Sequence, residues 1–221
     1  MKINMNVIKA SHEAGVKRLV CALSTCIFPD CTVGEMHEDM LHRGAPHPSN
    51  QGYAYAKRMC ALQCELYRKQ KGSDFCCVIP TNLYGPYDSY GPDKSHVVAG
   101  LIERCSRLKA GEPLVVWGSG KPLRQFCFTM DLCKLMLWVL FRPQKSELIA
   151  LVPQEEHSIL GLSRLIASEF GVKNIEFDTT KADGQHRKYM SPETLRQNLQ
   201  PNTFEFCPLE EGLKPTIEWF N

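Results

Sequence analysis

A chain of 221 residues with 26 Lys and Arg against 24 Asp and Glu has a formal charge of +2 and the length of one domain, or of one domain with an added lobe. Its 43% hydrophobic and 23% charged residues are ordinary for a globular protein and exclude a disordered chain. The near-neutral charge gives no sign of a nucleic-acid or anionic-membrane partner, and the longest apolar run, 135–141, is too short to span a bilayer.

Eleven cysteines are the unusual feature of the composition. Their odd number, and a first segment without the apolar core of a secretory signal, favour reduced thiols in the cytoplasm over a disulfide framework. Cys21, Cys26 and Cys31 recur at intervals of five, Cys76 and Cys77 are adjacent, and no C-x-x-C pair occurs. Structural zinc sites normally use closely paired ligands, so no metal site is predicted and most of the cysteines are expected to be buried.

Helices and strands alternate in the first part of the chain. The patterns predict a helix over 7–14, which a glycine ends, and a strand over 16–23. After a loop rich in His, Pro and Gly, a second helix is predicted over 53–70 and a strand buried on both faces over 75–80. This order is typical of an α/β fold with a parallel sheet.

The second part of the chain has shorter elements. Apolar patterns predict a helix at about 96–109, a strand at 114–117, a helix at 131–141 and a strand at 147–152. Ser158 is the predicted N-cap of a helix whose apolar residues keep helical spacing. The last fifty residues are expected to form a small mixed region with a strand at 175–177, because several prolines there predict breaks.

Tyr53 and Lys57 stand four residues apart on a predicted helix and therefore share one of its faces. A free phenol has a pKa of about 10 and is a poor acid-base catalyst near neutrality, whereas a nearby ammonium group favours its phenolate form. Ser24 follows the first predicted strand, where its hydroxyl can bind the substrate oxygen that the phenol serves. Because a Y-x-x-x-K pair also occurs on solvated helix faces, its surroundings decide its meaning.

Six sequence blocks supply these surroundings: LSTCIFP (23–29), YAYAKRM (53–59), VIPTNLYGP (78–86), SHV (95–97), VVWGSGKPLRQF (115–126) and DTTKADG (178–184). In this order they resemble one family of extended short-chain dehydrogenase/reductases, the GDP-L-fucose synthases, from about residue 5 to the C-terminus. The resemblance implies an NADP(H)-dependent enzyme that converts GDP-4-keto-6-deoxy-D-mannose to GDP-L-fucose by 3,5-epimerisation and 4-reduction. It also implies a homodimer in the cytoplasm, with no nucleic-acid or membrane partner.

The resemblance further implies the roles of individual catalytic residues. Cys26 and His96 would be the acid-base pair that epimerises C3 and C5, where the neighbouring C4 ketone makes the protons acidic. In the reduction, Tyr53 would protonate the C4 oxygen and Ser24 would hold it. Lys57 would bind the nicotinamide ribose and tune Tyr53. A dehydratase relative would have an acidic residue beside Ser24, and this chain has none there.

Two groups of binding residues are implied in the same way. The cofactor would contact Tyr53, Lys57, Asn82 and Leu83, and the GDP-sugar would contact Arg104, Trp117, Arg124 and Lys181. Arginine suits a diphosphate because its planar guanidinium binds two oxygens at once. The ordinary alternatives are a solvated Arg104, a core Trp117 and a surface Lys181.

The fold class that follows is α/β, with an incomplete Rossmann-type parallel sheet and a smaller C-terminal substrate-binding lobe. No G-x-G-x-x-G turn, which would cradle the dinucleotide pyrophosphate, occurs in the sequence. About 90 residues, the length of three βα units, are therefore expected to be missing before the first residue. Residues 1–85 would be the remnant of the NADP-binding domain, and 86–221 mainly the GDP-sugar lobe, with 125–152 returning to the sheet.

Three interpretations stay open at this point. The chain is part of an ordinary GDP-L-fucose synthase, or a short and catalytically silent product that binds GDP-sugar or pairs with a full-length subunit. The third interpretation is another nucleotide-sugar epimerase or reductase of the same superfamily. The presence of Cys26 together with His96 argues against the third, and cofactor binding discriminates between the first two.

Overall fold

The computed structural model of the chain describes residues 1–29, 34–91, 95–141 and 147–221, so that Cys31 lies outside the described residues. The chain forms two units, each assembled from three segments. Unit 1 comprises Met1–Thr81, Leu132–Gln154 and Met190–Glu205, and unit 2 comprises Asn82–Asp131, Glu155–Tyr189 and Phe206–Asn221. The return of Met190–Glu205 to unit 1 was not expected from the sequence.

Eleven strands and seven α-helices form in the described parts of the chain. The strands are β1 (Arg18–Ala22), β2 (Glu35–Met36), β3 (Asp74–Pro80), β4 (Asn82–Tyr84), β5 (Leu114–Trp117), β6 (Leu123–Arg124), β7 (Phe126–Phe128), β8 (Leu148–Leu151), β9 (His157–Ser158), β10 (Ile175–Asp178) and β11 (Arg187–Met190). The helices are α1 (Lys2–Glu13), α2 (Gln51–Lys71), α3 (Val97–Arg107), α4 (Thr129–Phe141), α5 (Ile159–Glu169), α6 (Glu193–Leu199) and α7 (Leu209–Phe220).

A three-stranded parallel sheet in the order β1–β3–β8 is the centre of unit 1. The apolar run of β3 is buried from Phe75 to Pro80, because a parallel strand inside an α/β unit is covered on both faces. α2 packs on β3 and ends at Gly72, whose φ of +67° suits a glycine C-cap. This arrangement confirms the predicted α/β class with a Rossmann-type parallel sheet.

Unit 2 contains small sheets and three helices. β4 pairs with β7 and β5 with β10, both in parallel, while β6 lies parallel to β11 and antiparallel to β9. α3, α5 and α7 bury their apolar faces in one core, whose members include Leu101, Ile102, Leu162, Ile166 and Leu213. Among the described residues no helix has the length and apolarity needed to cross a membrane.

The elements agree with most of the sequence-based predictions and differ at several ends. β5 spans the predicted residues, and Ser158 caps α5 through the Gly161 amide, as predicted. α1 begins at Lys2 rather than at residue 7. The sequence did not predict its first turn, because the side chains there are largely exposed and show no helical apolar pattern. The predicted proline break in the last segment is wrong at Pro215, which lies inside α7.

Gly212 of α7 faces Tyr84, and this contact leads to a test of packing in unit 2. A Cβ at residue 212 would overlap Tyr84 Oη, so Gly212→Ala should destabilise the protein by about 1–3 kcal/mol through overpacking. Tyr84 is buried, burial raises its pKa, and its hydroxyl has no hydrogen-bond partner among the described residues. Tyr84→Phe should therefore cost little alone and should recover part of the loss in the double variant, as measured by urea unfolding. An additive double variant would contradict the contact.

Candidate active site

The carboxyl end of β1 is built around Ser24. This residue has an extended backbone, and its Oγ accepts a hydrogen bond of 3.2 Å from the backbone N–H of Cys26. The bond makes Ser24 the cap of a short 3-10 turn, Thr25–Ile27, which is the local structure that a serine in this position favours. The turn holds the half-buried Cys26 two residues after the half-buried Ser24 at this strand end.

The N-terminal part of α2 meets the same strand end. Lys57 Nζ donates a 2.7 Å hydrogen bond to the carbonyl oxygen of Ala22, the last residue of β1. The same ammonium lies 5.9 Å from the centre of the Tyr53 ring, which is 50% exposed. The four catalytic residues predicted for this unit are thus gathered at one strand end, and ligands of parallel α/β sheets bind at such ends.

Two residues that the sequence analysis missed support the turn. Asn50 places its amide nitrogen 4.0 Å from Cys26 Sγ. Arg58 is buried and donates from Nε to the Ile27 carbonyl at 2.6 Å and from Nη1 to the Gly44 carbonyl at 2.7 Å. Burial lowers the pKa of Arg58. No pattern indicated this role, because an arginine on a helix normally extends into solvent.

Arg58→Met should weaken the turn that carries Cys26. The substitution keeps the apolar stem but removes both donors, so two inward-facing carbonyl groups lose their partners. We expect the free energy of unfolding to fall by about 3 kcal/mol, measured by urea denaturation. Arg68→Met is the comparison, because Arg68 also caps a carbonyl, that of Phe75, but far along α2. If Arg58 acts locally on the turn that carries Cys26, Arg58→Met should lose more activity than Arg68→Met at matched stability. Equal losses of activity in the two variants would contradict this local role.

His96 belongs to unit 2, where it is the N-cap of α3 rather than a residue of its first turn, and its side chain is exposed. Its Nδ1 lies 3.9 Å from Asp88 Oδ1. The start of α3 is held by the buried carboxylate of Glu103, which accepts a 2.9 Å bond from the Gly91 amide. Ser95 adds a 2.8 Å bond to the Gly91 carbonyl. These contacts tie Gly91 to Ser95 and to α3, and none of them uses the ring of His96.

Three of the residues predicted to bind the GDP-sugar meet at an exposed indole in unit 2. The Arg104 guanidinium lies 4.4 Å from the centre of the Trp117 ring, and Lys181 Nζ lies 6.0 Å from it. Arg104 also donates a 3.0 Å bond to the Val115 carbonyl, and burial lowers its pKa. Trp117 is 60% exposed, so it is not the core residue of the alternative interpretation. An exposed aromatic ring flanked by two cations can hold a planar, anionic ligand.

The remaining predicted residues are held by backbone groups of unit 2. Arg124 donates to the carbonyls of Leu123 at 2.7 Å and Gln185 at 2.6 Å, and burial lowers its pKa. Asn82 donates from its amide to the Gln125 carbonyl at 2.8 Å. Leu83 lies beside Asn82 on β4 and is half-buried.

Comparisons with known proteins were made for the whole chain. Residues 1–152 match the family described as the NAD dependent epimerase/dehydratase family. The chain is 43% identical to the GDP-L-fucose synthase of Dictyostelium discoideum over 223 residues, which cover 99% of this chain and 69% of that protein. It is 34% identical to the GDP-L-fucose synthase of Escherichia coli, covering 100% of this chain and 71% of that protein. The crystal structure of a GDP-L-fucose synthetase from Naegleria fowleri bound to NADP matches with a TM-score of 0.91 and 40% identity, over 98% of this chain and 70% of that one.

Proposed function

Because the chain belongs to the NAD-dependent epimerase/dehydratase family and, within it, to the GDP-L-fucose synthases, we propose that it performs the NADPH-dependent 3,5-epimerisation and 4-reduction of GDP-4-keto-6-deoxy-D-mannose to GDP-L-fucose. One observation carries the proposal. The hydrogen bond from Lys57 to the Ala22 carbonyl brings the Tyr–Lys pair of α2 to the strand end where Ser24 and Cys26 lie.

We assign the epimerisation to Cys26 and His96. Removal of a proton from C3 or C5 gives an enolate that the C4 ketone stabilises, and return of a proton to the opposite face inverts the carbon. Cysteine and histidine suit this work because their ordinary pKa values lie close to neutral pH. The amide nitrogen of Asn50, 4.0 Å from Cys26 Sγ, can orient the thiol, and the Asp88 carboxylate can orient the ring of His96.

We assign the reduction to Tyr53, Ser24 and Lys57. Tyr53 donates its phenolic proton to the C4 oxygen, where negative charge develops. The Ser24 Oγ already accepts a bond from the Cys26 amide, so its own O–H hydrogen can donate to the same substrate oxygen. Lys57 holds its ammonium 5.9 Å from the centre of the Tyr53 ring.

The residues at the end of β1 fit the nicotinamide half of NADP(H). Lys57 has three N–H donors, of which one is directed to Ala22, and the others can bind a ribose diol. Asn82 and Leu83 of unit 2 are assigned to the nicotinamide end of the cofactor. NADPH, when bound, supplies the hydride that reduces C4.

We assign the GDP moiety to Arg104, Trp117, Arg124 and Lys181. The exposed Trp117 ring offers a flat apolar face, and the cations of Arg104 and Lys181 near it suit an anionic nucleotide. Arg124 donates hydrogen bonds from two of its five N–H groups to carbonyl oxygens. These bonds hold the guanidinium in one orientation and leave donors for phosphate oxygens.

We further propose that unit 1 carries most of the residues that bind the cofactor and that unit 2 carries those that bind the GDP moiety. A homodimer in the cytoplasm is part of the same proposal. The exposed apolar side chains of Met59 and Leu66 on α2 would be covered by a second copy, and a reducing compartment would keep the many thiols intact. Sedimentation velocity would test the dimer.

The function is tested with the purified protein and GDP-4-keto-6-deoxy-D-mannose. We expect consumption of NADPH in equal amount to the GDP-L-fucose formed, and quenching or enhancement of nicotinamide fluorescence on binding. A chain that binds GDP-sugar but does not bind NADPH, and forms no reduced sugar, would support the catalytically silent alternative. Reduction without inversion at C3 and C5 would indicate another reductase of the superfamily.

A further inference from the structure

Four cysteines of unit 1 converge between α2 and the parallel sheet. Cys60 and Cys64 are one turn apart on α2, and both are buried. Cys21 on β1 is the register partner of Cys77 on β3, so the side chains of these two residues leave the same face of the sheet. Three rigid elements therefore supply four thiols to one region, although the residues are far apart in the sequence.

The sulfur atoms are spaced as metal ligands require. Cys64 Sγ lies 3.6 Å from Cys21 Sγ, and the sulfur atoms of Cys21, Cys60 and Cys64 all lie within 4.8 Å of one another. A tetrahedral ion with metal–sulfur bonds of about 2.3 Å separates its ligands by about 3.8 Å. Cys77 leaves the same face of the sheet as Cys21 and packs in the same core as Cys60 and Cys64, which makes it the candidate for a fourth ligand.

We propose that Cys21, Cys60 and Cys64, with Cys77 as a fourth ligand, form a metal site of unit 1 that binds a soft d10 ion of the Zn²⁺ class. On binding, each ligand releases one proton to solvent and no electrons are transferred. Cys21 is partly exposed, which gives the ion a route of entry, whereas the other three ligands are buried. None of the proposed ligands is a residue assigned to catalysis, although Lys57 bonds to the carbonyl of Ala22, the neighbour of Cys21, and the proposal does not depend on the proposed function.

The sequence analysis predicted no metal site because it looked for a C-x-x-C pair. The signal that it missed is the C-x-x-x-C of residues 60 and 64, which is the spacing that places two side chains on one face of a helix. The other half of the site depends on the register of β1 against β3, which no local pattern contains.

The test is zinc binding by the purified full chain, reduced and freed of metal with a chelator. We expect uptake of one Zn²⁺ per chain and an X-ray absorption spectrum with three or four sulfur neighbours at about 2.3 Å. Titration with Cd²⁺ should give the ultraviolet band of thiolate-to-metal charge transfer. Proton release should accompany binding, and affinity should fall as the pH is lowered.

Cys60→Ala/Cys64→Ala should lose this uptake, whereas Cys76→Ala should keep it. Cys76 is the matched control because it is buried next to Cys77 on β3 but on the opposite face of the sheet. If the double variant does not fold, Cys21→Ala tests the same point by lowering the sulfur count by one. A coordination shell of oxygen and nitrogen, or equal uptake in all variants, would overturn the proposal. A disulfide among the four cysteines, with no uptake after its reduction, would overturn it as well.

Discussion

Tyr53→Phe should strongly slow the reduction of the C4 ketone while the exchange of the C3 and C5 protons with solvent continues. The substitution removes only the phenolic oxygen, and that oxygen is assigned to protonate C4–O as the hydride arrives. General acid catalysis contributes about 10²–10⁴-fold to such a step, so the rate of NADPH oxidation should fall by this factor. The incorporation of solvent deuterium at C3 and C5, followed by mass spectrometry, should stay within a few-fold of the unmodified protein, since Cys26 and His96 are untouched.

Tyr55→Phe is the matched control for this experiment. Tyr55 lies on the same helix and is similarly exposed, but it projects from a different face, where its ring lies 5.5 Å from the Arg58 guanidinium. It should therefore retain the rate of NADPH oxidation. Loss of proton exchange together with reduction in Tyr53→Phe would refute the division of labour between Tyr53 and the acid-base pair. A normal rate of reduction would remove Tyr53 from the mechanism.

The end of unit 1 that carries Ser24, Tyr53 and Lys57 could be predicted from the sequence because local patterns determine it. An apolar strand ends at Ser24, a helix of period 3.6 carries Tyr53 and Lys57, and parallel α/β topology brings such ends to one edge. The bond from Lys57 to Ala22 fulfils this expectation. The bonds from Arg58 to the carbonyls of Ile27 and Gly44 could not be predicted, because they depend on the positions that two loops take in the fold.

Unit 2 was harder to predict because its elements are short and its contacts join residues that are far apart in the sequence. Strands such as β6 and β9 have two residues each, too few to show an alternating pattern. The sequence did not predict α7, because this helix contains Pro215 and a proline ring normally ends a helix. The helix continues because Leu209, Leu213 and Ile217 bury one face of it in the core of unit 2.

The four thiols illustrate the same limit. Cys60 and Cys64 share a helix face, which a helical reading of 53–70 already implies. Their proximity to Cys21 and Cys77 follows only when α2 is laid on the strands in the observed register. A cysteine-rich composition therefore predicted burial, whereas the tertiary fold decides that several of these cysteines are buried together.

Cys26→Ser should stop the exchange of C3 and C5 protons with solvent, the converse of the Tyr53 result. A hydroxyl fits the space of the thiol and leaves the bond from the residue-26 amide to Ser24 Oγ in place, so the 3-10 turn should persist. A serine hydroxyl is a far weaker acid than a thiol and cannot supply the base form at neutral pH. Proton exchange should fall by about 10²–10⁴-fold, and any reduced product should keep the original configuration at C3 and C5, as NMR of the sugar would show.

Cys133→Ser is the control for the loss of a thiol as such, because Cys133 is exposed on α4. It should leave both exchange and reduction unchanged. Unchanged exchange in Cys26→Ser would exclude Cys26 from the epimerisation and leave His96 without its assigned partner. Loss of exchange at only one of the two carbons would instead assign Cys26 to that carbon. Combined with Tyr53→Phe, the Cys26 variant separates the two half-reactions, since epimerisation needs an acid-base pair across the sugar ring and reduction needs an acid at C4–O alone.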